Sequence, residues 1–155
     1  MHTVLFVCTG NQYRSPIAAA TFLDQLMQAC LDEDWIVKSA GTEALPGQDP
    51  PAEAVDLALL LGLLIDEHKT QALTTDLLAE ADLVLVMEES HRDVLKAEFP
   101  FARQKIHLLT EVLKGVAYDI PDPAAANGDL DSIISEMVGM IRAGYMKIYN
   151  FARAG

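Results

Sequence analysis

The sequence predicts a single α/β domain: a four-stranded parallel sheet with helices on both faces. Two observations predict it. Short, unbroken apolar runs such as Thr3-Val4-Leu5-Phe6-Val7 and Leu83-Val84-Leu85-Val86-Met87 read as strands buried on both faces. Helical patterns separate these runs all along the chain, and no repeat or linker interrupts the alternation, so one domain is expected over residues 1–155.

Each element follows from its local pattern. The first strand, Thr3 to Val7, leads into Cys8-Thr9-Gly10-Asn11-Gln12-Tyr13-Arg14 and then Ser15-Pro16. A serine before a proline marks a helix start, with Ser15 as cap and Pro16 in the first helical position. That helix is expected to reach about Leu31, with Ile17, Ala20, Leu23 and Met27 as its apolar stripe. Trp35 to Lys38 reads as the second strand and Gly41 to Pro51 as a loop. Helices are predicted over Pro51 to Leu61 and Thr74 to Ala81. A third strand covers Leu83 to Met87, a helix Glu89 to Phe99, and a fourth strand Lys105 to Leu109. Gly115 to Gly128 reads as a loop, and Asp129 to Phe151 as a long amphipathic helix. In sheets of this kind ligands sit at the carboxyl ends of the strands, which is where the Cys8 loop falls.

Composition narrows the function classes. With 51% hydrophobic and 22% charged residues, the chain is that of a folded protein with a hydrophobic core. A net charge of −12 argues against nucleic acid and against anionic membrane as partners. The longest apolar stretch, Ala54 to Ile65, is broken by Asp56 and is too short to span a bilayer. Met1-His2-Thr3-Val4 lacks a basic signal region, so a cytoplasmic location is expected, with Cys8 and Cys30 as free thiols. His2, His68, His91 and His107 are scattered and form no zinc-site spacing with the cysteines, so neither a metal nor another cofactor is expected.

The chemistry concentrates between Cys8 and Ser15. A tight loop between a strand and a helix N-terminus aims backbone N–H groups inward, and the helix dipole adds positive potential. Arg14 has the planar fork to grip two phosphate oxygens. The same field stabilises a Cys8 thiolate as nucleophile. Gly10 permits unusual backbone angles, and Asn11 is among the few residues that tolerate a left-handed one. Together these features outweigh the alternative of a buried cysteine near a surface arginine. An anionic substrate must be drawn in by this local feature against the global charge.

These residues resemble the active-site signature of the low-molecular-weight protein-tyrosine phosphatases, a family that includes protein-arginine phosphatases. The likeness continues through Ser39-Ala40-Gly41-Thr42, Ile65-Asp66-Glu67-His68, Ala81 to Met87, and Pro121-Asp122-Pro123. It implies a phosphatase-I-like fold and a phosphomonoesterase that works through a phosphocysteine on Cys8, acting on a phosphorylated protein or a small aryl phosphate. By the resemblance, Asp122 protonates the leaving group and Arg14 stabilises the transition state. Thr9, Gly10, Asn11, Gln12, Tyr13 and Ser15 form the substrate-binding loop, with Ser15 bonded to the Cys8 sulfur. Ser39 and His68 join Asn11 in supporting that loop. Asp119 is the rival for the acid.

The pattern departs from the family at the substrate side. Ala124-Ala125-Ala126 stands where tyrosine-specific members usually carry aromatic residues. Gln12 matches neither the tyrosine nor the arginine phosphatases. Tyr13 replaces the small residue, usually cysteine, beside the arginine; it either supplies aromatic surface at the rim or packs on a neighbouring helix. The competing readings are a protein-arginine phosphatase and a catalytically silent phosphoprotein-binding module of the same fold.

Overall fold

The structure, a computed structural model, describes residues 1–123 and 129–154. Its strands are β1 (His2–Cys8), β2 (Trp35–Gly41), β3 (Leu83–Val86) and β4 (Ile106–Leu108), all parallel in the order β2-β1-β3-β4. The helices are α1 (Arg14–Gln28), α2 (Ala52–Leu60), α3 (Thr75–Glu80), α4 (Glu89–Glu98), α5 (Leu109–Lys114) and α6 (Leu130–Ala154). A 3-10 segment, Pro100–Lys105, joins α4 to β4.

The period-two alternation of β1 explains the two-sided core. Val4, Phe6 and Cys8 point into one cluster, with Ile17, Phe22 and Leu26 of α1 and Met137, Ile141 and Ile148 of α6. Leu5 and Val7 point into the other, with Leu78 of α3, Leu95 of α4, and Ile106 and Leu108 of β4. Both faces of β1 are therefore dry, as its unbroken apolar run requires. The fold class expected from the sequence is the one observed.

Several boundaries differ from expectation. The buried residues of α1 include Ile17, Ala18, Thr21, Phe22 and Leu26, while Leu23 and Met27 of the expected stripe are exposed. Thr21 apart, both sets are apolar, and the direction of packing against the sheet and α6 decides between them. The helix ends at Gln28, so Cys30 lies beyond it in a left-handed conformation (φ 58°). β2 continues three residues past Lys38, because Ser39, Ala40 and Gly41 pair with Phe6, Val7 and Cys8. The 3-10 segment and α5 occupy mainly residues 100–104 and 110–114, for which the sequence pattern predicts no element. Gly115, left-handed at φ 76°, closes α5. Ala124, Ala125 and Ala126 lie outside the described residues.

Candidate active site

Cys8 ends β1, the Cys8–Arg14 turn follows, and α1 begins at Arg14. Ser15 does not cap this helix. Tyr13 holds the cap position and makes no side-chain cap bond, while the Ser15 hydroxyl turns inward to Cys8 Sγ at 2.9 Å. Among the described residues, no hydrogen bond within the protein spends the backbone N–H groups of residues 10–13. A helix start with unspent donors suits an anion.

Asn11, not Gly10, carries the left-handed turn, at φ 57°. Asparagine accepts that conformation at lower cost than most residues, and here its amide is fully used. Asn11 Nδ2 donates to Ser15 Oγ (2.8 Å) and Ser39 Oγ (3.0 Å), and Asn11 Oδ1 accepts from the Gln71 backbone N–H (3.0 Å). His68 Nε2 donates to the Asn11 carbonyl at 2.8 Å, and Gln71 Nε2 donates to the Ser39 carbonyl at 2.9 Å. Because Ser15 Oγ accepts from Asn11, its own proton is left for the Cys8 sulfur; the other acceptor, the Ala40 carbonyl, is farther away at 3.4 Å.

Gly41 brings β2 against the loop. A β-carbon there would lie 2.6 Å from the Thr9 carbonyl oxygen, 2.8 Å from Ala44 Cβ and 3.0 Å from the Asn11 nitrogen. Only glycine allows this approach.

Arg14 is almost wholly buried, with 1% of its surface exposed, so its charge needs partners. Nη1 donates to Glu88 Oε2 (2.9 Å) and to the Ile120 carbonyl (2.7 Å). Nη2 donates to Thr9 Oγ1 (3.4 Å) and stands 3.8 Å from Asp122 Oδ2. Asp122 therefore faces the same guanidinium as the Cys8 loop. Asp119 Oδ1 accepts the Glu89 backbone N–H at 2.7 Å, at the start of α4.

Tyr13 meets a neighbouring helix and also lies within reach of the Asp122 charge. Its ring packs on the core cluster, its hydroxyl donates to Glu53 of α2, and burial together with Glu53 pushes its pKa up to about 12. Gln12, half-buried, takes the adjoining position on the loop. Four neighbours escaped the sequence reading: Glu88, His91, Gln71 and Gly41 as a packing requirement. His91 Nε2 lies 3.0 Å from Thr9 Oγ1 and 3.5 Å from Glu88 Oε2. Burial lowers its pKa; Glu88 opposes that shift and Arg14 adds to it. A cleft of about 560 Å³ opens beside Thr9, walled by Glu43, Glu88, Glu98 and Asp122 with Leu73 and Phe99.

A cysteine at the end of a central parallel strand, a buried arginine and a helix N-terminus with free donors are the parts a nucleophilic anion-binding site needs. The sequence profile of the family described as low molecular weight phosphotyrosine protein phosphatase matches residues 3–149, and the chain belongs to that family of cysteine-dependent phosphatases. Among similar proteins, a protein-arginine-phosphatase of Bacillus subtilis is 35% identical over 127 residues, 82% of this chain and 83% of its own length. The low molecular weight protein-tyrosine-phosphatase Etp of Escherichia coli is 33% identical over 128 residues, covering 83% and 81%. Among solved structures, a mutant of Bacillus subtilis YwlE superimposes with a TM-score of 0.85 at 29% identity, covering 96% of this chain and 99% of that one. The low molecular weight protein tyrosine phosphatase of T. tengcongensis gives 0.81 at 32% identity, covering 97% and 99%.

Proposed function

We propose that this protein is a phosphomonoesterase that removes phosphoryl groups from phosphorylated proteins through a phosphocysteine on Cys8. The observation that carries this reading is the placement of the Cys8 sulfur, with a serine hydroxyl at 2.9 Å, at the mouth of a helix that also supplies buried Arg14. Cys8 Sγ attacks phosphorus, the S–P bond forms, and the bond to the leaving oxygen breaks. Asp122 gives its proton to that oxygen. Arg14 and the N–H groups of residues 10–13 hold the equatorial oxygens, whose charge grows in the transition state. Asp122, now a carboxylate, takes a proton from water as the water attacks phosphorus; phosphate leaves with its oxygen and Cys8 is regenerated. Hydrolysis of an aryl phosphate in the presence of a chelator, inhibition by orthovanadate, and loss of turnover in Cys8→Ser test the reading.

A second substrate class has its own observation. The cleft beside Thr9 carries four carboxylates, and no lysine or arginine lines it among the described residues. Such walls repel a second anion and favour a substrate that brings positive charge next to its phosphate, as phosphoarginine does. Two of the relatives are named as protein-arginine-phosphatases. Comparing kcat/KM for one peptide phosphorylated on arginine and on tyrosine separates the classes. Preference for phosphoarginine that falls in Glu43→Gln and Glu98→Gln supports the acidic cleft; equal loss on both peptides rules it out.

A further inference from the structure

We propose that His91 is a positioning residue: its Nε2–H fixes the Thr9 hydroxyl so that the Thr9 proton is donated to the phosphoryl group held by Arg14. This inference rests on the Cys8 site binding phosphate, as proposed above, but not on its turning substrate over.

Thr9 Oγ1 has one hydrogen to give and two lone pairs. Arg14 Nη2, 3.4 Å away, can only donate, so it occupies one lone pair. His91 Nε2, 3.0 Å away on the other side, either donates to Thr9 or accepts from it. The other ring nitrogen decides. His91 Nδ1 is buried and has no hydrogen-bond partner among the described residues. If the proton sat on Nδ1, a buried N–H would be orphaned, the rarer and costlier fault. If it sits on Nε2, only a lone pair goes unmatched, and the N–H points at Thr9 with Glu88 Oε2 as a second acceptor at 3.5 Å. Double protonation orphans the Nδ1–H as well, and burial opposes it, although Glu88, Asp119 and Glu43 favour it. The neutral, Nε2–H form results.

With both neighbours donating to Thr9 Oγ1, the hydroxyl proton points elsewhere. Thr9 follows Cys8, lines the open cleft and stands beside the Arg14 guanidinium, the group proposed to hold the phosphate. The phosphoryl oxygen is the acceptor this geometry leaves. His91 thus acts through Thr9 without touching the substrate, and the bond joins α4 to the Cys8 loop across the top of β3.

The test is a double-mutant cycle read by inorganic phosphate, as competitive inhibitor and by calorimetry, with thermal midpoints alongside. His91→Phe keeps a ring of similar size and removes both nitrogens. It is expected to weaken phosphate binding roughly tenfold, the worth of one hydrogen bond to a charged group, without lowering the midpoint, because the orphaned nitrogen goes too. Thr9→Val is expected to lose a similar factor and Thr9→Ser little. The double variant His91→Phe/Thr9→Val should lose no more than either alone, and His91→Gln, which restores a donor, should recover most of the loss. Losses that multiply in the double variant, or a lowered midpoint with unchanged phosphate binding, overturn the proposal. Nitrogen NMR of labelled histidine in the unmodified protein gives an independent reading, and an Nδ1–H tautomer for His91 also overturns it. Coupled phosphate binding in a protein that hydrolyses no phosphoester would leave this inference standing and reject the phosphatase reading.

Discussion

The Cys8 loop and the segment carrying Asp122 meet at the same buried guanidinium, yet Cys8 and Asn11 of the loop are buried while the Asp122 side chain is partly exposed. The loop is held from outside by Ser39 and Gly41 of β2 and by His68 and Gln71 of the connection between α2 and α3, which converge on Asn11 and the Thr9 carbonyl. Among the described residues, Ile120 ties down the segment before Asp122: its N–H donates to the Met87 carbonyl at 2.9 Å, and its carbonyl accepts from Arg14. The Asp122 side chain is a quarter exposed. The difference suits the two tasks proposed for them. A cradle must present its donors in one fixed geometry, because binding a developing charge by preorganised groups costs no rearrangement. An acid has to meet leaving groups of different shapes.

The largest effect on this contrast is expected from Gly41→Ala. The added methyl meets two backbone atoms at 3.0 Å or less, so the loop itself has to move. Overpacking of this kind costs about 1–3 kcal/mol, and a displacement of about 1 Å at the reacting atoms costs roughly a hundredfold in rate. Denaturant unfolding and kcat should fall together. A variant with both unchanged would show that the loop does not depend on β2.

Asp122→Ala should separate what Gly41→Ala joins. The rate on a phenyl ester is expected to drop roughly a hundredfold or more, and much less on an ester whose leaving group needs no proton. Stability should change by less than about 1 kcal/mol, as for a partly exposed ion pair. Asp119→Ala should do the reverse, because it strips the Glu89 N–H of its acceptor. If the leaving-group dependence follows Asp119 instead, the two roles are exchanged.

Acidity should weaken the α4 side of the site. Burial lowers the pKa of both His91 and His107 below the ordinary histidine value. The unfolded chain then takes up these protons near pH 6.5 and the folded chain only at lower pH, so stability is full above about pH 6.5 and is lost as pH falls. Urea midpoints between pH 7.5 and 5 check the sign, and His91→Phe should flatten the slope. A steeper slope in that variant would contradict the assignment.

Oxidation should have the smallest structural signature. Cys30 is exposed and lies past the end of the 15-residue α1, which separates it from buried Cys8 by roughly 20 Å. Bridged cysteines need Cα atoms within about 7 Å, and Tyr13 stands next to Arg14 where a resolving thiol would serve. Peroxide without added thiols should carry Cys8 past sulfenic acid, leaving activity that reductant does not restore. A Cys8–Cys30 linkage in the peptide map would contradict this.

What the sequence made legible was the part of the site written in one stretch. Cys8, Arg14 and the strand-to-helix turn are local, and Asn11 announced a left-handed residue by its type. Glu88, Gln71 and His91 are brought in by the strand order, which sets β1 between β2 and β3. Nothing near Cys8 in sequence signals residues 63 to 83 positions away. Gly41 looked like the start of a loop until its pairing with Cys8 showed why a side chain cannot fit. The α1 stripe was misjudged because Leu23 and Met27 are as apolar as Phe22 and Leu26, and only the packing against α6 tells them apart.

The central claim, that Cys8 is the nucleophile, is tested most directly by catching the intermediate. Asp122→Ala, which lacks the base for the second step, is mixed with an aryl phosphate bearing a good leaving group, quenched in acid and digested. The account predicts one phosphoryl group on the peptide that carries Cys8, and none in Cys8→Ala. Phosphate on any other residue, or steady turnover in Cys8→Ala, would contradict it.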